Sequence, residues 1–270
     1  MRADRPSSTA ALIAAATVFV ARDRALAHLV PPGAAEICAR CLSRFPLLVA
    51  RLPWLARAAE HATILGLCAH FMVRKRWIER AVRGALGRGA SQVVIIGAGY
   101  DTLAARLAPE FAHVRFIEVD HPATQAVKRR AVPPLSNLSF VAADLARVPL
   151  RDALARSRVP GRSLYVAEGV LMYLTPAQVD TFFAAVGDEV IFTVMEPTPD
   201  GRIAFHNATW LERALLALWG EPFRSALARE ELAPFLAERG FRLHDYADLT
   251  RAHAELVLAR GELVVHAGRT

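Results

Sequence analysis

The run at residues 92–102, QVVIIGAGYDT, constrains the fold of this chain most strongly. Its continuous apolar, mostly β-branched stretch from Val93 to Ile96 is typical of a parallel strand that is buried on both faces. Gly97 and Gly99 then allow a sharp turn that brings backbone N–H groups close to a ligand. In an open α/β sheet such a turn lies at the carboxyl ends of the strands, where ligands usually bind. The segment therefore predicts an α/β fold with a nucleotide-like cofactor at this turn.

The residues that close the turn distinguish two classes of cofactor. A dinucleotide fingerprint has a small residue at the position of Thr102, because a larger side chain crowds the packing of helix on sheet. Asp101 would face the pyrophosphate of NAD or FAD. It suits S-adenosylmethionine (SAM), which has no phosphate and carries an ammonium, a sulfonium and a ribose diol. The sequence therefore favours SAM, and an NAD(P)-dependent oxidoreductase is the alternative.

Acidic residues also follow the next predicted strands. They are Asp120 after the run 114–119, Asp144 with Leu145 after 138–142, and Glu168 after 163–167. Asp120 stands about 20 residues after the glycine turn, where an acid can accept hydrogen bonds from a ribose diol. Asp144 is placed to accept from the exocyclic amine of an adenine. A single acid in such a loop is most often a helix N-cap, but this repetition at one sheet edge predicts a binding rim.

Four motifs extend this pattern along the chain: GAGYDT at 97–102, FIEVDHPATQAVKR at 116–129, AADL at 142–145 and AEGVLMYL at 167–174. Together they resemble the leucine carboxyl methyltransferase family of SAM-dependent methyltransferases, and most closely its bacterial O-methyltransferase branch. The likeness spans about residues 7–265. It implies the α/β class I SAM-dependent methyltransferase fold, with a Rossmann-like, seven-stranded, mostly parallel sheet and with helical N-terminal and inserted lid segments.

The resemblance also implies roles for individual residues. The residues expected to bind the cofactor are Arg74, Gly97, Ala98, Gly99, Asp101, Glu118, Asp120, Asp144, Leu145 and Glu168. Arg74 would hold the cofactor carboxylate, a task that suits a guanidinium fork. Glu168 would lie near the ammonium and the reacting centre. Glu168 and Tyr173 are the candidate catalytic residues, and no metal is expected.

The chemistry leaves the methyl acceptor open. A carboxylate acceptor is already ionised at neutral pH and needs no base, whereas a hydroxyl needs a base within hydrogen-bond reach. His121, His206 and Glu168 are candidates for that base, and Tyr173 could orient the acceptor. We therefore expect an enzyme that methylates a carboxylate or hydroxyl oxygen of a small metabolite or peptide. A SAM-binding protein without catalysis is the alternative from another class.

Length and charge bound the remaining possibilities. A chain of 270 residues can form one domain with an ample core. We expect a single domain over 1–270, with a helical cap at 1–90, a sheet core at 91–270 and a helical insert at about 198–225. The net charge of +7 would ordinarily suggest nucleic acid. The cations are scattered and almost all arginine, so we expect no nucleic-acid partner, and the oligomeric state is left open.

Further elements follow from apolar pattern and turn residues. We expect helices at 122–131, 145–157, 176–186 and 206–239, and strands at 189–194, 241–246 and 256–265. The apolar stretch from Ala10 to Val20 is too short to span a bilayer. We interpret it as a helix of a mature, cytoplasmic protein that has no membrane partner. Cys38 and Cys41 have a CxxC spacing but lack further zinc ligands at suitable spacing, so we expect reduced, buried thiols.

Overall fold

The computed structural model describes residues 6–145, 147–157 and 159–270. The strands of the described residues are β1 Gln92–Ile96, β2 Arg115–Asp120, β3 Leu138–Ala142, β4 Ser163–Ala167, β5 Glu189–Met195, β6 Phe241–Asp248 and β7 Glu262–Arg269. They form one seven-stranded sheet in the order β3-β2-β1-β4-β5-β7-β6. The first five strands pair in parallel, and β7 runs antiparallel to both β5 and β6. The predicted mostly parallel α/β sheet is therefore confirmed.

Helices occupy most of the chain before β1 and the connections after it. The α-helices are α1 Ser8–Val20, α2 Ala34–Cys41, α3 Arg44–Arg51, α4 Pro53–Thr63, α5 Leu67–Gly87, α6 Leu103–Leu107, α7 Pro122–Ala131, α8 Leu150–Leu154, α9 Pro176–Ala185, α10 Trp210–Trp219, α11 Leu232–Ala237 and α12 Leu249–Ala252. Within the described residues, none of them is long and apolar enough to cross a membrane.

Burial on both faces explains the continuous apolar run of β1. Its residues alternate between the two sides of the sheet, as side chains of a strand must. Val93 and Ile95 pack into one core cluster, whereas Val94 and Ile96 pack into the other. Because helices cover both faces, the positions from Val93 to Ile96 are all apolar, and the one polar residue of the strand, the buried Gln92, donates a hydrogen bond to the hydroxyl of Ser163. The strand is therefore buried along its length, and the chain turns at Gly97, directly after its carboxyl end.

Several predicted elements agree closely with the structure. The helix predicted at 122–131 coincides with α7. Helix α9 begins after Thr175, whose side chain accepts from the backbone N–H of Gln178 in a capping box. The apolar stretch from Ala10 forms α1, with Ser7 as its N-cap. This helix packs against α2, α3 and α5, so the hydrophobicity of the stretch is used in the core.

Three predicted boundaries were wrong. Of the helix expected at 145–157, which includes residue 146 outside the described residues, the described part is helical only in α8, because Pro149 lies before its first turn and cannot continue a helix from the preceding residues. The region 206–239 is divided, since α10 ends at Gly220 in the left-handed conformation. The last strand begins at Glu262 instead of 256, after Gly261 turns the chain with φ +96°.

Candidate active site

A cavity of about 380 Å³ opens at the carboxyl ends of β1, β2, β3 and β4. We call it the first cavity. Its lining includes nine of the residues that the sequence predicts for the site: Gly97, Ala98, Gly99, Asp101, Asp120, Asp144, Leu145, Glu168 and Tyr173. The first turn of α1 and residues 220–224 cover it from outside the sheet. The sheet topology thus gathers the predicted rim at one place, as parallel strands require.

The glycine turn after β1 requires glycine for steric reasons. Gly97 has φ +62° and Gly99 has φ +50°, which is the left-handed region that favours glycine. A Cβ on Gly97 would lie 2.6 Å from a methyl carbon of Val170, so the backbone there has no room for a side chain. The turn therefore leaves bare backbone facing the first cavity.

Asp120 holds this turn in place from the end of β2. Its Oδ2 accepts a hydrogen bond from the Gly99 N–H at 2.5 Å, and its Oδ1 accepts from the His121 N–H at 2.5 Å. Burial raises the pKa of Asp120, and these two hydrogen bonds oppose the increase by favouring the carboxylate. Asp120 thus presents a carboxylate to the cavity and also fixes the backbone around it.

Lys75 lies between two of the predicted acids, although it was not among the residues predicted to bind the cofactor. Its ammonium is 2.5 Å from Asp101 Oδ2 and 3.1 Å from Glu168. Burial alone would raise the pKa of Asp101, but the Lys75 ammonium outweighs burial and holds that pKa well below its usual range. The basic cluster at 74–76 was visible in the sequence. Helical geometry decides that Lys75, the second residue of the cluster, lines the first cavity.

Two predicted cofactor residues do not line the first cavity. Arg74 donates to Glu168 at 2.9 Å and to Glu262 at 2.9 Å, so two carboxylates already engage its guanidinium. Glu118 is fully buried and lies 2.6 Å from the ammonium of Lys128. Burial raises the pKa of Glu118 to about 7, although Lys128 opposes this. The cofactor roles of Arg74 and Glu118 remain predictions.

A second cavity of about 290 Å³ adjoins the first. It is lined mainly by apolar side chains of α1, α3, α4, α5 and α10. The two cavities share Thr9, Ile13, Gly169 and Tyr173 in their linings. Since these shared residues lie where the cavities meet, we call them the junction. Two molecules, one bound in each cavity, would contact each other at the junction.

Polar groups lie at and beside the junction, and two of them, Thr9 and Glu221, were not among the predicted site residues. The hydroxyl and the backbone N–H of Thr9 both donate to Oε2 of Glu221, which lines the first cavity. The hydroxyl of Tyr173 lies beside that of Thr9. Burial raises the pKa of Tyr173 far above its usual value, so it remains a phenol at neutral pH and can donate a hydrogen bond. This fits the predicted orienting role of Tyr173.

The histidine candidates differ in position. His121 lines the first cavity and caps α7, where its Nδ1 accepts from the Ala123 N–H at 3.3 Å. His206 lines neither the first nor the second cavity and packs against Gly261. The structure therefore does not bring His206 to the site. The described residues contain no group of three or more potential ligands that could hold a metal ion.

The sheet order, the antiparallel β7 and the cavity at the strand ends define the class I SAM-dependent methyltransferase fold. A solved DUF574-family protein from Streptomyces avermitilis MA-4680 has a TM-score of 0.61 over 100% of both chains at 16% identity, which supports the fold. The model of the leucine carboxyl methyltransferase family matches residues 8–187. This chain belongs to the leucine carboxyl methyltransferase family.

Two curated relatives indicate what the family shares. YktD of Bacillus subtilis (strain 168) is 26% identical over 188 residues, which cover 65% of this chain and 62% of that protein. FRAAL5401 of Frankia alni is 30% identical over 216 residues, 67% of this chain and 65% of that one. The chain therefore spans less than two thirds of each relative's length. The family match confirms the predicted family, and both relatives are named for SAM-dependent methyl transfer, in agreement with the predicted enzyme class and cofactor.

Proposed function

We propose that this chain transfers the methyl group of SAM to a carboxylate or hydroxyl oxygen of a small metabolite or peptide. The observation that carries the proposal is the meeting of two cavities of different character at the junction. The first is bordered by the glycine turn and its acids, and the second is apolar. A transferase needs adjoining sites for donor and acceptor, so that the reacting atoms are held together.

The residues of the first cavity suit SAM better than a dinucleotide. A cation-bearing cofactor with a ribose diol can be bound by Asp101, Asp120 and Glu168. Gly97 and Gly99 carry no side chain, so the backbone of the turn can lie close to the cofactor. The same carboxylates would repel the pyrophosphate of NAD(P). The open second cavity favours catalysis over mere binding, because an inactive SAM-binding protein would not need it.

SAM, when bound, supplies an electrophilic methyl group on a sulfonium. The residues of the chain would exclude water, hold the donor and orient the acceptor. Tyr173 can donate a hydrogen bond to the acceptor oxygen at the junction. Glu168 is engaged by Arg74 and Lys75, which fixes its negative charge beside the first cavity and occupies its oxygens. Glu168 is therefore better placed to hold the donor than to accept a proton.

Ligand-dependent thermal stability tests the donor site. S-adenosylhomocysteine (SAH) and SAM should raise the melting temperature, whereas NAD(P) should not. Asp120→Ala should abolish the SAH shift, because it removes both a carboxylate of the rim and the acceptor for Gly99 and His121. Asp200→Ala, at an exposed acid that lines neither cavity, is the control. A shift with NAD(P) alone would refute the proposal.

A further inference from the structure

The second cavity is built for an uncharged molecule. Five helices and two phenylalanines, Phe205 and Phe223, enclose it with apolar surface. Small side chains on α4, including Ala56 and Ala59, leave the space open. A charged group placed in such surroundings loses its hydration and must find a partner there. The body of the acceptor is therefore expected to be apolar.

The charges around the second cavity disfavour an anionic acceptor group. Among the described residues that line it, the carboxylates are Glu60 and Glu212 and the cation is Arg74. Arg74 already faces Glu168 and Glu262, so its charge is compensated. A carboxylate acceptor would enter this cavity without a free cation to bind it.

Glu221 lies beside Thr9 of the junction and has different partners from Asp101 and Glu168 of the first cavity. Asp101 and Glu168 each contact the Lys75 ammonium, whereas the described contacts of Glu221 are hydrogen bonds from Thr9. Arg224 also lines the first cavity but forms no ion pair with Glu221 in the described structure. Glu221 is buried, with 9% of its surface exposed. A buried carboxylate next to Thr9 of the junction, without an ion pair in the part of the chain that the structure describes, would repel an anion and is a candidate for the proton acceptor.

We propose that the acceptor is a neutral alcohol or phenol on an apolar body, and that Glu221 accepts its hydroxyl proton. This inference rests on the methyl transfer proposed above. In the reaction the oxygen–methyl bond forms while the sulfur–methyl bond breaks, and sulfur keeps the electron pair of the broken bond. The hydroxyl proton passes to the Glu221 carboxylate. The junction thereby selects a hydroxyl over a carboxylate, and the second cavity selects for the apolar body.

Calorimetry on the SAH-saturated protein at pH 7.5 tests the acceptor class without turnover. Decan-1-ol is compared with decanoic acid, and 1-naphthol with 1-naphthoic acid, so that the two pairs also distinguish a chain from a ring. The hydroxyl compound of at least one pair should bind about tenfold or more tightly than its acid, because the ionised acid must be desolvated. Equal or tighter binding of the acids, or no binding of either hydroxyl compound, would overturn the inference.

Two nearby alanines of α4 provide a matched test of whether the hydroxyl compound binds in the second cavity. Ala56→Leu fills part of the second cavity and should weaken binding of the hydroxyl compound about tenfold while SAH binds as before. Ala58→Leu places the same side chain on the exposed face of the same helix and should change neither affinity. Equal effects of the two substitutions on the hydroxyl compound would show that it binds elsewhere.

Product analysis tests the role of Glu221. With tritiated SAM and the bound hydroxyl compound, the product should be an ether that resists mild base, and Glu221→Gln should slow its formation about 100-fold or more. SAH and the hydroxyl compound should bind this variant as they bind the wild type, which excludes misfolding. A base-labile ester as the wild-type product would overturn the inference and leave the proposed methyl transfer intact. Failure to bind SAM or SAH would instead overturn the proposed function.

Discussion

A buried network of charges links the helical cap to the sheet, and Glu262 of β7 lies at its centre. Its carboxylate accepts from His70 at 2.6 Å and from Arg74 at 2.9 Å, and all three side chains are buried. Glu262→Gln keeps the shape of the side chain but removes its charge. We predict a large loss of stability, because the buried Arg74 guanidinium then loses its fully buried carboxylate partner and keeps only Glu168.

The size of this loss of stability follows from the pKa of Glu262. Burial would raise this pKa, but Arg74 and His70 outweigh burial and lower it from 4.5 to about 2. The difference corresponds to about 3 kcal/mol of stability at pH 7, at about 1.4 kcal/mol per pH unit. Because the folded-state pKa is depressed, this contribution is complete above pH 4.5 and is lost as the pH falls toward 2. About 1.4 kcal/mol of it should already be gone at pH 3.5.

Urea denaturation of wild type and Glu262→Gln at pH 7 and pH 3.5 measures this contribution. The difference in unfolding free energy should be about 3 kcal/mol at pH 7 and smaller at pH 3.5, since protonated Glu262 resembles glutamine. The other carboxylates contribute equally to the pH dependence of both proteins, so their contributions cancel in the difference in unfolding free energy. Glu110→Gln removes an exposed acid that pairs with Arg83 and should stay close to wild type at both pH values. A difference that is equal at both pH values would refute the reasoning.

Two further predictions concern the glycine turn and the cysteines. Gly97→Ala should cost about 1–3 kcal/mol of stability and abolish SAH binding by calorimetry, because its Cβ would clash with Val170. Gly87→Ala, with no heavy atom near its Cβ, should leave binding intact. Burial raises the pKa of Cys38 to about 12 and of Cys41 to about 11. Iodoacetamide should therefore label them at pH 8 only after unfolding in urea, and rapid labelling of Cys38 or Cys41 in the native chain, located by peptide mass mapping to distinguish it from labelling of the half-buried Cys68, would contradict their burial.

The parallel part of the sheet could be predicted because its strands are buried on both faces and bounded by turns. The start of the last strand was harder to predict, because a continuous apolar run does not by itself show where a buried strand begins. Residues 256–259 are as apolar as the strand that follows, so hydrophobicity alone assigns them to it. The strand begins only after Gly261, where a Cβ would contact the ring of His206 at 2.4 Å. That boundary depends on a contact with a residue remote in sequence, which no local pattern contains.

The donor side of the site follows from local sequence patterns, whereas the acceptor side depends on contacts between residues that are remote in sequence. The acids of the rim follow strands of one sheet, so their convergence is a consequence of topology. Thr9 and Glu221 are 212 residues apart, and they meet only because α1 and the segment after α10 both fold over the strand ends. Local patterns do not encode such packing. Two members of this family with the same rim can therefore differ in acceptor, and the segments to compare are those that build the second cavity and the junction.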